Sequence, residues 1–173
     1  MNTYDLVSCQ TRIYQVVNYL DRAHDFYKQR YMVGPHEVVG TPYLARTSLY
    51  QEFPFNERML NSDDTEFCQR LIDHSKRIYR TADICYEIGF NTLPNIVERW
   101  LRWGRGDALF YNTMKHRWNL WRKIQSWCHP LDVELAVPFK ILPLWQFLYT
   151  LPLLVLVVIL RYLGWFKYCL LKR

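Results

Sequence analysis

From Ile141 to Leu160 the chain runs for twenty residues without a charged side chain. A helix of about 20 apolar residues matches the roughly 30 Å hydrocarbon core of a bilayer. That run therefore divides the chain: residues 1–130 must supply any water-facing fold, and 131–173 read as a membrane-associated helical tail with a transmembrane segment at about 141–160. Trp145, Tyr149, Tyr162, Trp165 and Tyr168 are candidate interfacial aromatics, and Lys140, Arg161, Lys167, Lys172 and Arg173 flank the run on both sides. Pro143, Gln146 and Pro152 interrupt it, and Pro152 predicts a kink. With cations at both ends the orientation stays open, and a re-entrant or hairpin arrangement stands beside a single crossing. A buried core helix is the bland alternative.

What remains for a soluble fold is modest. The chain has 173 residues, 50% of them hydrophobic, and much of that apolar content lies beyond residue 137. The net charge of +6 suits nucleic acid, an anionic membrane surface or phosphorylated small molecules. The basic residues thicken between Arg99 and Lys123, just ahead of the apolar run, which favours membrane or phosphate. No RNA-binding signature or Cys/His zinc spacing supports nucleic acid as a partner. Cys9, Cys68, Cys85, Cys128 and Cys169 are scattered, without Cys-x-x-Cys spacing, which predicts reduced thiols in a protein facing the cytosol. Met1 to Asp5 has neither a basic nor an apolar run, so no signal peptide is expected.

Between Thr11 and Met32, Ile13, Val16, Val17, Leu20, Ala23 and Tyr27 recur at three- and four-residue spacing and predict an amphipathic helix. Arg12, Asp21, Arg22, Asp25 and Lys28 form its expected outer face, and His24, alone there, is no metal ligand. Gly34-Pro35-His36 should break it. Glu37 to Gly40 and Thr41 to Arg46 read as extended pieces, and Ser48 to Glu52 as one helical turn. Ser62 or Asp63 can cap the next helix, with Asp64, Thr65 and Glu66 in its first turn, where carboxylates suit the positive end of the dipole. Its inner face would be Phe67, Cys68, Leu71 and Ile72. Lys76 to Arg80 and Ile84 to Ile88 read as two short strands separated by Thr81-Ala82-Asp83. Pro94 suits the first turn of a helix through Trp103, with Gly104 or Gly106 ending it.

The ordered series from Gly40 to Pro130 resembles the C-terminal half of family-2 glycosyltransferases, inverting enzymes of the GT-A fold, some with membrane segments after the catalytic domain. Gly40-Thr41-Pro42-Tyr43-Leu44-Ala45-Arg46 is similar to the glycine, strand and arginine on the family's acceptor side. Phe55-Asn56-Glu57 is similar to its Phe-Asp-Glu, and Asp63-Asp64-Thr65-Glu66 to its Glu-Asp-x-Asp. Arg70-Leu71, Arg77-Ile78-Tyr79, Ala82-Asp83 and His129-Pro130-Leu131 keep the family's order. Arg99-Trp100 matches the end of Gln-x-x-Arg-Trp, with Ile96 in place of the glutamine.

The resemblance implies an α/β fold: a partial, Rossmann-like GT-A domain lacking its N-terminal nucleotide-binding half, followed by amphipathic and transmembrane helices. It implies transfer from a nucleotide-sugar to a lipid-linked or cell-envelope glycan acceptor. Asp64 would be the general base and Asp63 its assistant. Arg99, Trp100 and Arg102 would bind the donor diphosphate or the acceptor, and Gly40 and Arg46 would line the acceptor side. Glu87 stands where relatives carry a metal-holding histidine, so it is the candidate ligand for a divalent cation, Mg or Mn. The family's Asp-x-Asp does not occur here. The expectation is thus a cytoplasm-facing, membrane-attached portion that needs a missing N-terminal half for turnover. The reading from another class is a non-catalytic adaptor binding anionic lipid through Arg99 to Lys123, with Asp63, Asp64 and Glu66 only capping a helix.

Overall fold

The computed structural model describes residues 4–59, 62–89 and 92–171; Lys172 and Arg173, expected as flanking cations, lie outside them. In chain order the elements are β1 (Leu6–Ile13), α1 (Tyr19–Lys28), β2 (Gly34–His36), β3 (Tyr43–Ala45), α2 (Thr47–Glu52), α3 (Asp63–Asp73), β4 (Ile78–Glu87) and α4 (Leu93–Met114). A 3-10 turn (Lys115–Arg117) follows, then α5 (Leu120–Leu131), a π-helical turn (Asp132–Ala136), α6 (Val137–Ile141) and α7 (Leu144–Leu171). The chain divides into two compact units, Met1–Arg12 with Tyr31–Glu87, and Ile13–Arg30 with Ile88–Arg173.

The first unit is a four-stranded sheet in the order β2-β4-β1-β3 with α2 and α3. β1 runs antiparallel to β3, pairing Leu6 with Ala45 and Ser8 with Tyr43, and β2 runs antiparallel to β4, pairing Gly34 with Arg80. Leu6, Val39, Leu49, Phe53, Phe67, Cys68, Leu71 and Ile78 form its core. The helix expected from Thr11 is thus a strand in its first part. Ile13 and Val16 fit a helical period, but β-branched residues also fit a pleated, half-buried surface, and Leu6 and Ser8 alternate with half-buried neighbours as a strand requires. The expected extended piece Glu37 to Gly40 gives way to a strand at Gly34–His36. The two short strands expected after α3 are one, β4, which runs on through Thr81-Ala82-Asp83, with the Thr81 hydroxyl donating to the Ser8 carbonyl at 3.3 Å. Ile72, expected inside, is exposed.

The second unit packs α1, α4 and α7 around Ala23, Tyr27, Ile96, Trp100, Leu153, Leu154, Val157 and Leu160. α1 begins at Asn18, whose side chain accepts from the Asp21 N–H at 2.9 Å. Asp21 and Asp25, expected on the outer face, are buried. Asp21 Oδ2 accepts from the Val17 N–H at 3.2 Å and Asp25 Oδ1 from the Ile13 N–H at 3.1 Å, so one carboxylate satisfies a donor of the loop before α1 and the other the donor that ends β1. α4 does not end at Gly104 or Gly106 but runs on to Met114. Both glycines are buried, and a Cβ at Gly104 would lie 1.9 Å from the carbonyl oxygen of Arg161 on α7, so the missing side chain admits a neighbouring helix. Reciprocally, a Cβ at Gly164 would lie 2.2 Å from the Leu101 carbonyl oxygen.

α7 begins three residues later than the uncharged run and continues through Pro152. Leu144–Leu170 is long and apolar enough to cross a membrane. Arg161, inside it, is buried and paired: its guanidinium donates to Asp107 Oδ2 at 2.6 and 2.9 Å and to Glu134 Oε1 at 2.5 Å. The π turn that carries Glu134 has a local cause. Pro138 has no N–H to give the Glu134 carbonyl, and its ring crowds that carbonyl, so the helix widens there.

Candidate active site

The first unit gathers the acidic residues against a glycine. Ser62 precedes α3 without a side-chain cap bond, so its first turn is supported by Asp63, Asp64 and Glu66 facing the positive end of the helix dipole. Asp63 is exposed and Asp64 half-buried. The Thr65 N–H donates to Asp64 Oδ1 at 2.7 Å, while a Cβ built on Gly40 would lie 3.3 Å from Oδ2. One carboxylate oxygen is therefore held by its own helix and the other faces the Gly40 turn. That turn is itself held: Ser8 Oγ lies 3.1 Å from the Gly40 carbonyl oxygen and 2.9 Å from that of Pro42, and Cys68 Sγ reaches the Val39 carbonyl at 3.6 Å.

Burial pushes the Asp64 carboxyl above the ordinary carboxylate range; the Thr65 N–H opposes this and the Asp63 charge adds to it. Burial, and next the Asp64 charge, also raises the Tyr43 phenol. Tyr43 belongs to an aromatic stack, with ring centroids 6.4 Å from Phe55 and 6.2 Å from Phe67, and Phe55 lies 4.7 Å from Phe67. Phe55 remains exposed. The nearby Glu66 is buried, with Oε1 accepting from Arg70 Nε at 2.9 Å, while Arg70 also donates to the Pro54 carbonyl at 2.7 Å. A base of raised pKa, a glycine leaving space beside it and a partly exposed aromatic surface suit proton abstraction from a hydroxyl.

Other expected residues fall elsewhere. Arg46 is exposed and lines a polar pocket with Tyr4, Asp5, Ser48, Glu52 and Lys76. Glu87 ends β4, half-buried, and among the described residues no three His, Cys, Asp or Glu side chains come together to hold a metal ion. In the second unit Trp100 is buried, its ring edge-on to Tyr27 at 5.9 Å and to Trp103 at 4.6 Å. Arg99, one residue back, lines a pocket with His24, Asn95, Leu153 and Val157, and Arg102 is exposed on the far face of α4. Ile96 is a core residue, so the first position of the half-matched motif serves packing here.

The model of the glycosyl transferase family group 2 matches residues 1–168. The chain belongs to that family. No curated protein and no solved structure matches it. In this family group 2 glycosyl transferase the match runs through the helical region as well as the sheet. Thr65 and Tyr43 stand inside motifs that the sequence reading quoted but were given no site role there. Thr65 carried a signal, since it directly follows the acid it holds, whereas Tyr43 reaches the Asp64 neighbourhood only through pairing of β3 with β1.

Proposed function

We propose that this glycosyl transferase moves a sugar from a nucleotide-sugar to a lipid-linked or cell-envelope hydroxyl by a single inverting displacement, with Asp64 as general base. The observation that carries the reading is the Asp64 carboxylate, fixed at one oxygen by Thr65, facing Gly40 with the other, and raised by burial. As the acceptor oxygen bonds to the anomeric carbon, its proton passes to Asp64 while the bond to the donor diphosphate breaks. A carboxylate whose pKa is lifted toward the working pH takes that proton more readily than an ordinary one. Asp63 supplies a second negative charge beside it, and the Tyr43–Phe55 surface can meet the apolar face of a sugar ring. Within the second unit, Arg99 and Arg102 can each meet a phosphate through charge-assisted hydrogen bonds, and Trp100 anchors the helix that carries them. Among the described residues no three His, Cys, Asp or Glu side chains gather at Glu87, and no step is routed through a cation. The chain is attached to a membrane through α7.

The test is sugar transfer in membranes containing the chain and its donor, with Asp64→Asn beside the wild type. Turnover should fall about 10²- to 10⁴-fold, the usual contribution of a positioned base, while donor binding persists. Undiminished turnover would remove Asp64 from the chemistry.

A further inference from the structure

The apolar helix of the second unit is apolar on both sides, one of them exposed and the other covered. Leu148, Val155, Ile159, Leu163 and Phe166 fall on one stripe of α7, each between 42% and 55% exposed. The core helix of a soluble protein turns a polar face outward, so this stripe is made for a surrounding that is not water. Its opposite side is covered by polar helices. Leu153, Leu154 and Val157 pack against Ile96 and Trp100 of α4, and Gly104 meets the Arg161 backbone. On the far face of α4, away from α7, Glu98 and Arg102 are exposed, and the side chain of Arg105, whose backbone meets Gly164 of α7, is exposed as well. Toward the start of α7, the Tyr19 hydroxyl of α1 donates to the Tyr149 carbonyl and Phe26 meets Trp145 edge-on, while Arg22 of α1 is exposed.

A crossing helix would draw its packed neighbours into the hydrocarbon with it. α4 accompanies α7 as far as Tyr111 against Trp165, so Glu98, Arg102 and Arg105 would be carried into the bilayer, where charges are costly and rare. Lying flat removes the conflict: the α7 stripe faces the acyl chains and the charged face of α4 faces water. The apolar surface continues onto α5. Trp127 lies beside Tyr162, with ring centroids 5.9 Å apart, and Leu120, Trp121 and Ile124 are exposed along the same helix. The basic turn Lys115–Arg117 precedes it, suited to anionic headgroups.

We propose that α7 lies in the plane of the membrane, with its exposed stripe and that of α5 seated in a single leaflet of the bilayer. This rests on the membrane attachment stated above and not on the chemistry of Asp64.

Two native lysines lie toward opposite ends of the helix, Lys140 just before α7 and Lys167 four residues before its last residue, both exposed. The full chain in right-side-out and inverted membrane vesicles is treated with a membrane-impermeant, sulfonated N-hydroxysuccinimide ester that acylates amines, and each lysine is read by mass spectrometry. Both lysines labelled from one side, with loss of labelling at both from the other, is the expected result. Labelling of the two from opposite sides shows a crossing and overturns the proposal. Release of the chain by a neutral salt wash also overturns it, because the stripe must then be covered by protein. Sugar transfer by the same vesicles, with and without Asp64→Asn, reports separately on the catalytic reading.

Discussion

Replacing Gly104 by Ala sets two effects of known size against each other. Alanine is favoured over glycine inside a helix by about 1 kcal/mol, and Gly104 sits well within α4, so propensity alone predicts stabilisation. The new methyl would, however, lie 1.9 Å from the Arg161 carbonyl oxygen and 2.7 Å from its carbon, both backbone atoms that cannot rotate aside. Ordinary contact begins near 3.4 Å, so α4 and α7 would have to part by about 1.5 Å. That gap opens across Ile96, Trp100, Leu154 and Val157, the packed residues of the unit. Overpacking of a close-packed interior usually costs about 1–3 kcal/mol, and here it falls on rigid backbone, so the upper end applies and outweighs propensity. Gly104→Ala should therefore lose about 2 kcal/mol in denaturant or thermal unfolding followed in detergent or lipid. Gly164→Ala, against the Leu101 backbone, should do the same. An unchanged or raised unfolding midpoint for Gly104→Ala would refute the packing argument and leave the glycine a mere interruption in a helix.

Three further outcomes follow from burial. The Asp64 carboxyl is raised in the fold, so its ionisation works against folding: stability from this group is present at low pH and is lost as pH climbs from the ordinary carboxylate range through the raised value. Asp64→Asn should be as stable as the wild type or more so at neutral pH, with a flatter dependence on pH in urea titrations; a less stable variant contradicts this. Trp100→Ala should cost about 3–5 kcal/mol in chemical unfolding, the range for a buried tryptophan, because its ring is wedged between Tyr27 and Trp103. Burial pushes the Cys9 and Cys68 thiols up to about 11, so iodoacetamide at pH 8 should modify the exposed Cys169 far sooner than either, as read by peptide mass spectrometry.

Local chemistry was the legible part of this chain. The start of α3 could be read because Asp63, Asp64 and Glu66 act within their own first turn, although Ser62 makes no side-chain cap bond, and α4 starts where Pro94 allows it. Apolar spacing also named Phe67, Cys68 and Leu71 correctly as the inner face of α3. What failed depended on distant partners. Ile13 is a strand residue because β1 finds β3 and β4, and nothing in the spacing of Ile13, Val16 and Val17 announces that. Asp21 and Asp25 looked solvated because acidic residues usually are, yet Asp21 answers an N–H from the loop before α1 and Asp25 the N–H of Ile13 at the end of β1. Gly104 has the same letter whether it ends a helix or admits another, and only the approach of α7 decides. At the site the acids were legible and their setting was not, since Gly40 comes under Asp64 through the tethers from Ser8 and Cys68.

The π turn at Asp132–Ala136 gives the chain an adjustable joint of rotation. A π turn holds one residue more than the regular helix around it, so the face presented after it is turned by about 100° relative to the face before, one residue's share of a 3.6-residue turn. The phase of α5 is thereby uncoupled from that of α6 and from Glu134, which must point at Arg161. Loss of a single residue here would keep the segment helical while turning either Glu134 away from its arginine or the tryptophans of α5 away from their present exposure. The sequence is thus free to change many side chains along this segment, but hardly at all in its length.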